Sequence, residues 1–294
     1  MGLDFSVSHG LKGGHPETEG LSESREVITT EEHAHRVELD LTRIEFSLSR
    51  TFDETWDAVL RVPWFSKVQT AETVFPHHIS DEDREAAVRS GYSHHRTATY
   101  EGIGDVELSG GWRRRGILTD NDTFRFGLGL FLPFGDTEED PLSAGDAGLE
   151  HLHVQFGNGT FDPLVEIYYG LPLSDGFTFS VFGRGRFPLY ASNKGYLGSV
   201  EGSLAPRLTW QPHRRLTLFT GASADYYGYS EWYGRRDPNS GQLNINASLG
   251  TGWQVNDRLH AAFTAQLPVY TKTFSGEDSL DPAPTFSLSA SWKF

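Results

Sequence analysis

Apolar and polar residues alternate with a period of two along most of this chain. At the C-terminus Phe286, Leu288, Ala290, Trp292 and Phe294 fall on one face, and Ser287, Ser289, Ser291 and Lys293 on the other. Leu259, Ala261, Phe263, Ala265, Leu267 and Val269 oppose His260, Thr264, Gln266 and Tyr270 in the same way. Phe124, Phe126, Leu128, Leu130 and Leu132 oppose Arg125, Gly127, Gly129 and Phe131. Side chains leave an extended strand on alternate sides, so this period predicts strands with one greasy and one polar face. Counting back from Phe294 predicts strands near 284–294, 258–272, 242–254, 215–229, 198–210, 177–188, 161–172, 123–134, 99–114, 55–66 and 37–50. Leu3, Phe5 and Val7 mark one more, Leu3 to Ser8, which brings the count to about 12. Residues 11–36 then form the first outer loop, and the Gly-, Glu- and Ser-rich stretch to about Ala34 admits a mobile segment. Within 37–50 the apolar phase moves from Val37, Leu39 and Leu41 to Ile44, Phe46 and Leu48, as a bulge would cause.

A soluble sandwich also alternates, so the direction of the greasy face has to be argued. Three features favour lipid outside and water inside. The segments reach the ~9–11 residues that cross a bilayer at a tilt. Connections alternate between short ones, at residues 52–54, 173–176, 211–214 and 255–257, and long ones, at 66–97, 136–156, 188–197, 230–241 and 273–283. Short periplasmic turns and long outer loops are the habit of outer-membrane barrels. Trp56, Trp112, Trp210, Trp253 and Trp292 sit beside short turns, and Trp64 and Trp232 near long loops. Indole prefers a membrane interface, where its ring is greasy and its N–H finds a partner. The expected fold class is all-β: a transmembrane antiparallel up-and-down β-barrel forming one domain over residues 1–294.

Composition narrows the function. No run approaches the ~20 apolar residues of a membrane helix. The chain has no cysteine, which removes disulfides and thiolate chemistry. The formal net charge of −15 argues against a nucleic-acid partner. Acidic runs such as Asp136 to Asp140 fall between strands and read as solvated loop charge. No basic region followed by an apolar region opens the chain, so export implies a leader already removed, with Met1 added. The expected site is the outer membrane of a Gram-negative bacterium. Lipid and lipopolysaccharide are the expected surroundings and a small-molecule solute the expected ligand; the oligomeric state is left open.

Residues 99–172 carry a more specific pattern. Gly102-Ile103-Gly104-Asp105 lies in one strand, the next closes on Leu132-Pro133-Phe134-Gly135-Asp136, and the third reads Asp162-Pro163-Leu164-Val165-Glu166-Ile167-Tyr168-Tyr169-Gly170. This resembles the outer-membrane family named for the meta-cleavage pathway of phenol degradation, with its Gly-x-Gly-Asp strand start and Pro-x-Gly-Asp strand end. Phe134 replaces the commoner Thr. The resemblance implies an outer-membrane transporter or channel and names no substrate.

If Phe294 faces lipid, the opposite phase lines the lumen. It carries Arg43, Glu45, Asp57, Arg61, Asp105, Glu107, Arg125, Glu166, Arg184, Arg186, Glu201, Arg207 and Asp225. Both signs occur in similar number, which suits either a cross-strand network that fills a narrow lumen or a polar conduit that selects solutes. Nine of twelve histidines fall in the first three outer loops. His15 is one of them, and His33, His35, His77, His78, His94, His95, His151 and His153 are candidate metal ligands. Imidazoles beside carboxylates such as Glu31, Glu32 and Glu150 suit a divalent transition metal. No other cofactor is expected. Asp81 to Arg89 predicts a short helix capped by Ser80, able to fold into the mouth and gate it.

The leading expectation is a channel or transporter for small solutes, including hydrophobic or aromatic compounds or metal ions captured at a His-rich mouth. The alternative is a plugged barrel whose loops bind a partner. A hydrolase ranks below both: the pairs Ser8-His9 and Ser93-His94 are adjacent, so in extended chain their side chains diverge, and no Gly-x-Ser-x-Gly elbow occurs.

Overall fold

The computed structural model describes residues 1–151, 154–274 and 279–294. The chain runs β1 (Gly2–Leu21), β2 (Val27–Thr51), β3 (Trp56–Val74), helix α1 (Asp81–His94), β4 (Ala98–Ile103), β5 (Val106–Arg115) and β6 (Thr123–Leu132). Helix α2 (Pro141–Asp146) follows, then β7 (Asp162–Ser174), β8 (Phe177–Arg186), β9 (Tyr196–Leu197), β10 (Glu201–His213) and β11 (Leu216–Tyr227). The last part holds β12 (Glu231–Trp232), β13 (Arg235–Arg236), β14 (Gln242–Gln254), β15 (Leu259–Thr273), β16 (Ser279–Asp281) and β17 (Thr285–Trp292).

Each wall strand pairs antiparallel with the next, and β1 closes the ring by pairing both β2 and β17. Strands β4 and β5 pair in turn with β3 and share one wall position. The wall is a closed barrel of 12 strands. The tiny strands β9, β12 and β13 form a separate sheet within the outer loops, and β16 pairs the upper part of β1.

Burial settles which face meets lipid. Leu3, Leu108, Leu128, Leu249, Leu288 and Trp253 are each about half exposed. Glu166, Asp162, Glu107 and Asp57 are buried. A soluble protein hides the first set and wets the second. Here the pattern is inverted, as lipid outside and a paired polar interior require.

Three expectations need correction. Residues 11–36 are not an outer loop, and the stretch to Ala34 is not loose chain. β1 runs on to Leu21 and β2 starts at Val27, so only residues 22–26 turn between them. Above the membrane the outer face of this hairpin meets water, so the greasy-outside signal that marks a wall strand is missing there. The bulge expected in β2 lies instead in β1, between Ser8 and Leu11, while β2 follows β3 unbroken from Ala34 to Thr51. The apolar phase of β2 changes because its surroundings change. Ile44, Phe46 and Leu48 face lipid. Higher up, Val37, Leu39 and Leu41 share the inward face of Arg43 and Glu45, and Arg36 and Glu38 are exposed on the outside. Finally, Trp232 belongs to no interfacial belt. It is buried within the loop sheet, 4.7 Å from the Tyr196 ring. Trp56, Trp210, Trp253 and Trp292 do stand exposed at the short-turn end.

Candidate functional site: a lumen with one ionic wall and a histidine cluster above it

The charged residues on the inner faces of β2 to β8 are joined into chains of ion pairs. Arg125 on β6 reaches Asp57 on β3 at 2.8 Å and Glu166 on β7 at 2.9 Å. Arg61 pairs with Glu166 at 3.1 Å, with Glu107, and with Glu45 at 4.0 Å. Arg184 also pairs with Glu107, and Arg43 with Glu45. Arg113, which the sequence reading passed over, adds a second cation to Asp57 at 3.3 Å. Glycines make the space: Gly111 and Gly127 face each other across β5 and β6, and a Cβ on Gly111 would stand 2.5 Å from Arg125 Nε. Charge inside a barrel persists where each carboxylate meets a cation, and every carboxylate of this wall does.

A second knot forms around Arg186 at the outer end of this wall. Its guanidinium lies 2.6 Å from Asp105, 2.6 Å from Asp162 and 3.8 Å from Glu201. Asp105 also accepts hydrogen bonds from the backbone N–H of Gly135, 3.2 Å, and Asn158, 2.9 Å. Asp162 accepts from the Asn158 amide and the Thr160 hydroxyl. Two of the three segments singled out in the sequence therefore meet at Arg186, through Asp105 and Asp162, and the third joins them through the Gly135 N–H on Asp105. Gly102 opens the space that the Phe156 ring fills and Gly104 that of the Phe65 ring, and the two rings stack at 6.1 Å. Gly135, Phe156 and Asn158, from the connection between β6 and β7, are thus held against the inner wall by the motif residues. Asp162 was missed in the sequence although it shares the parity of Glu166 on β7.

The opposite wall is different. Ser287, Ser289, Asn244, Asn246, Ser248, Thr264 and Gln266 point inward from β14, β15 and β17 on the alternation that puts their neighbours in lipid. Asp225 is held there by neutral partners: Ser203 at 2.6 Å, Ser223 at 2.8 Å and Asn246 at 3.1 Å. Arg207 has no ion pair among the described residues and lies over the Phe219 ring at 4.3 Å. Against the ionic wall, and reaching round to β10 and β11, is a cavity of about 520 Å³ lined by Arg43, Arg184, Arg186, Glu201, Asp225 and the rings of Phe65, Phe131 and Phe182, among others. Arg186 sits over the Phe131 ring at 4.1 Å.

Above the lumen the histidines sort themselves. Helix α1 begins where the sequence predicts, with Ser80 accepting the Asp83 N–H, and continues to His94. It packs on the hairpin of β1 and β2: Ala86 and Ala87 are fully buried, and a Cβ on Gly20 would touch Ala86. His15 and His35 are cross-strand partners, and His95 follows the helix. Nitrogens of His15, His35 and His95 all lie within 4.8 Å of one another, with His15 Nε2 and His95 Nε2 3.2 Å apart. His33 is buried alongside, its ring 5.1 Å from that of His35. His33 and His35 stand in the upper half of β2, well beyond the ~10 residues next to Thr51 that suffice to span the bilayer, and His15 and His95 are packed at the same level. Burial, with the neighbouring His15 and His33, lowers the pKa of His35 to about 3 despite a hydrogen bond to Ala87, which keeps the ring neutral.

Of the candidate metal ligands, the structure brings together His35 and His95 and adds His15. His77 is occupied by Glu31 at 3.1 Å, His78 is exposed on the loop before α1, and His151 faces the Leu149 carbonyl at 2.9 Å. These three stay outside the cluster because they sit on loop segments that turn elsewhere. The side chain of His94, and the whole of His153, lie outside the described residues. Only cross-strand register places His15 opposite His35, which is why it could not be singled out from sequence.

No protein-family model and no curated protein matches the chain. Its fold is similar to that of an outer-membrane channel from Pseudomonas putida F1, with a TM-score of 0.57 over 100% of this chain and 96% of that one, at 10% identity. The NanC porin aligns with 99% of the chain and 100% of its own at 10% identity and a TM-score of 0.47, too loose a likeness to argue from. At such identity the likeness is one of fold. The protein is a twelve-stranded transmembrane β-barrel of the outer-membrane type.

Proposed function

We propose that this barrel is a conduit for small solutes across the outer membrane of a Gram-negative bacterium. The observation that carries the reading is the asymmetry of the lumen. Ion pairs occupy one wall and saturate one another, the facing wall offers small neutral hydroxyls and amides, and a cavity of about 520 Å³ opens against the ionic side. A barrel meant to be solid has no need of such a division. The cavity is of a size to take a ring-sized solute. Its cations and carboxylates are balanced, and its phenylalanines offer aromatic faces. A small uncharged or zwitterionic compound with an aromatic portion fits these walls best. The resemblance to the meta-cleavage outer-membrane family would agree with this, and the contacts of its motif segments around Asp105 and Arg186 would give those motifs a shared task, anchoring the loop between β6 and β7.

Reconstituted protein in planar bilayers is expected to give discrete conductance steps. Arg184→Ala, which removes a cation from the cavity wall, is expected to raise unit conductance and move selectivity toward cations. A silent bilayer, with correctly folded protein, would put the partner-binding scaffold ahead.

A further inference from the structure

We propose that His15, His35 and His95 form a binding site for one divalent transition-metal ion, and that the ion clasps the end of helix α1 to the β1–β2 hairpin. The inference rests on the histidine geometry and does not require that the barrel conduct.

Three imidazoles from three separate places in the chain converge here. His15 and His35 are brought opposite each other by register, and His95 comes from beyond the helix. The rings stand edge to face: His15–His35 centroids are 5.3 Å apart at 82°, and His35–His95 centroids 5.7 Å apart at 76°. The His15–His95 pair is tilted, 5.5 Å apart at 52°, so no two of the three rings stack face to face, and one nitrogen of each lies within 4.8 Å of the others. A tetrahedral ion with bonds of ~2.0–2.1 Å holds its donor nitrogens roughly 3.3–3.4 Å apart. His15 Nε2 and His95 Nε2 are 3.2 Å apart, and the set closes within 4.8 Å, so a small rotation of the His35 ring completes three ligands. Gly91 lies on the helix face toward His35, where a Cβ would come within 3.3 Å of Nε2, so the helix approaches closely only because that residue is glycine. Three imidazoles with no thiolate suit zinc, copper(II) or nickel, and leave a fourth position for water or a passing ligand. Such an ion would tie the helix to the wall of the mouth, since two ligands belong to the wall and one to the chain leaving the helix.

The test is isothermal titration of zinc chloride into the full chain folded in detergent. One zinc per chain is expected. The double variant His15→Ala/His95→Ala is expected to lose that stoichiometric heat, whereas His77→Ala/His78→Ala keeps it. Both should retain the heat-modifiable migration of a folded barrel. If the double variant does not fold, His95→Ala alone serves, because the helix end is capped by the His95 backbone N–H and not by its ring. Limited proteolysis gives the second readout: zinc should protect the link between α1 and β4 in the parent chain and not in the variant. Folded parent protein that takes up no stoichiometric zinc overturns the proposal. So does uptake that survives loss of these histidines, or uptake that leaves the link equally open to protease.

Discussion

Glu166 is buried between two guanidiniums, with Arg61 at 3.1 Å and Arg125 at 2.9 Å. Removing its charge leaves both cations short of a partner in a site poor in water. Breaking a buried pair in this way costs on the order of 3 kcal/mol. Glu166→Gln should therefore lower the temperature at which the folded band converts to the unfolded one in detergent. Gly111→Ala should lower it too, by pushing Arg125 off Asp57 and leaving every charge in place. An unchanged transition in both variants would mean that the ion pairs do not hold this wall. Asp122, in the turn between β5 and β6, gives a pH test. Burial raises its pKa, but N–H donors from Ile117, Leu118 and Thr119, with the Tyr169 hydroxyl, bring it down to about 2. A carboxyl with a depressed folded pKa stabilises above its ordinary value near 3.8 and loses that contribution as pH falls through about 2. Asp122→Asn should melt below the parent at pH 5, and the two should converge toward pH 2. A gap that persists at the lower pH would assign the effect to something other than the carboxylate.

At the scale of the element, helix α1 is the part whose order depends on local chemistry. Its first turn is acidic, with Asp81, Glu82 and Asp83, and Ser80 caps it. Ser80→Ala should cost about 1 kcal/mol, felt by the helix and not by the barrel. Hydrogen exchange in residues 81–94 should quicken while the wall strands keep their protection. Equal quickening of both would mean that helix and wall unfold together. The helix start was legible because capping is a relation between residues three apart. The wall strands were legible for the same reason, since alternation is local. The upper β1–β2 hairpin was not, because His33, His35 and Val37 line a covered inner face while Arg36 and Glu38 meet water outside, and no lipid-facing stripe remains to be seen. Parity alone nominated the inner-face charges, and Arg113 and Asp162 were left out. Who pairs with whom was not legible, since Asp105, Asp162 and Arg186 meet only after β5, β7 and β8 are set in register.

The whole molecule depends on a one-residue step separating lipid from lumen, and β14 offers adjacent positions that test it. Leu249 is about half exposed on the outer face, and Ser248 points inward beside Gly221. An arginine on the lipid face near the bilayer midplane costs ~2–4 kcal/mol, because nothing there solvates it. An arginine on the lumen face meets water, with the carboxylate of Asp225 on the same face four residues along β11 from Gly221, the cross-strand partner of Ser248. Leu249→Arg should therefore shift the folding equilibrium in phospholipid vesicles by that amount, while Ser248→Arg folds close to normally and narrows the lumen. The same Ser248→Arg protein should show reduced conductance in a planar bilayer, a loss that Leu249→Arg, once folded, should not share. A reversal of these effects would turn the barrel inside out. Equal and small effects would mean that neither face meets lipid, and the proposed conduit would fall with the membrane.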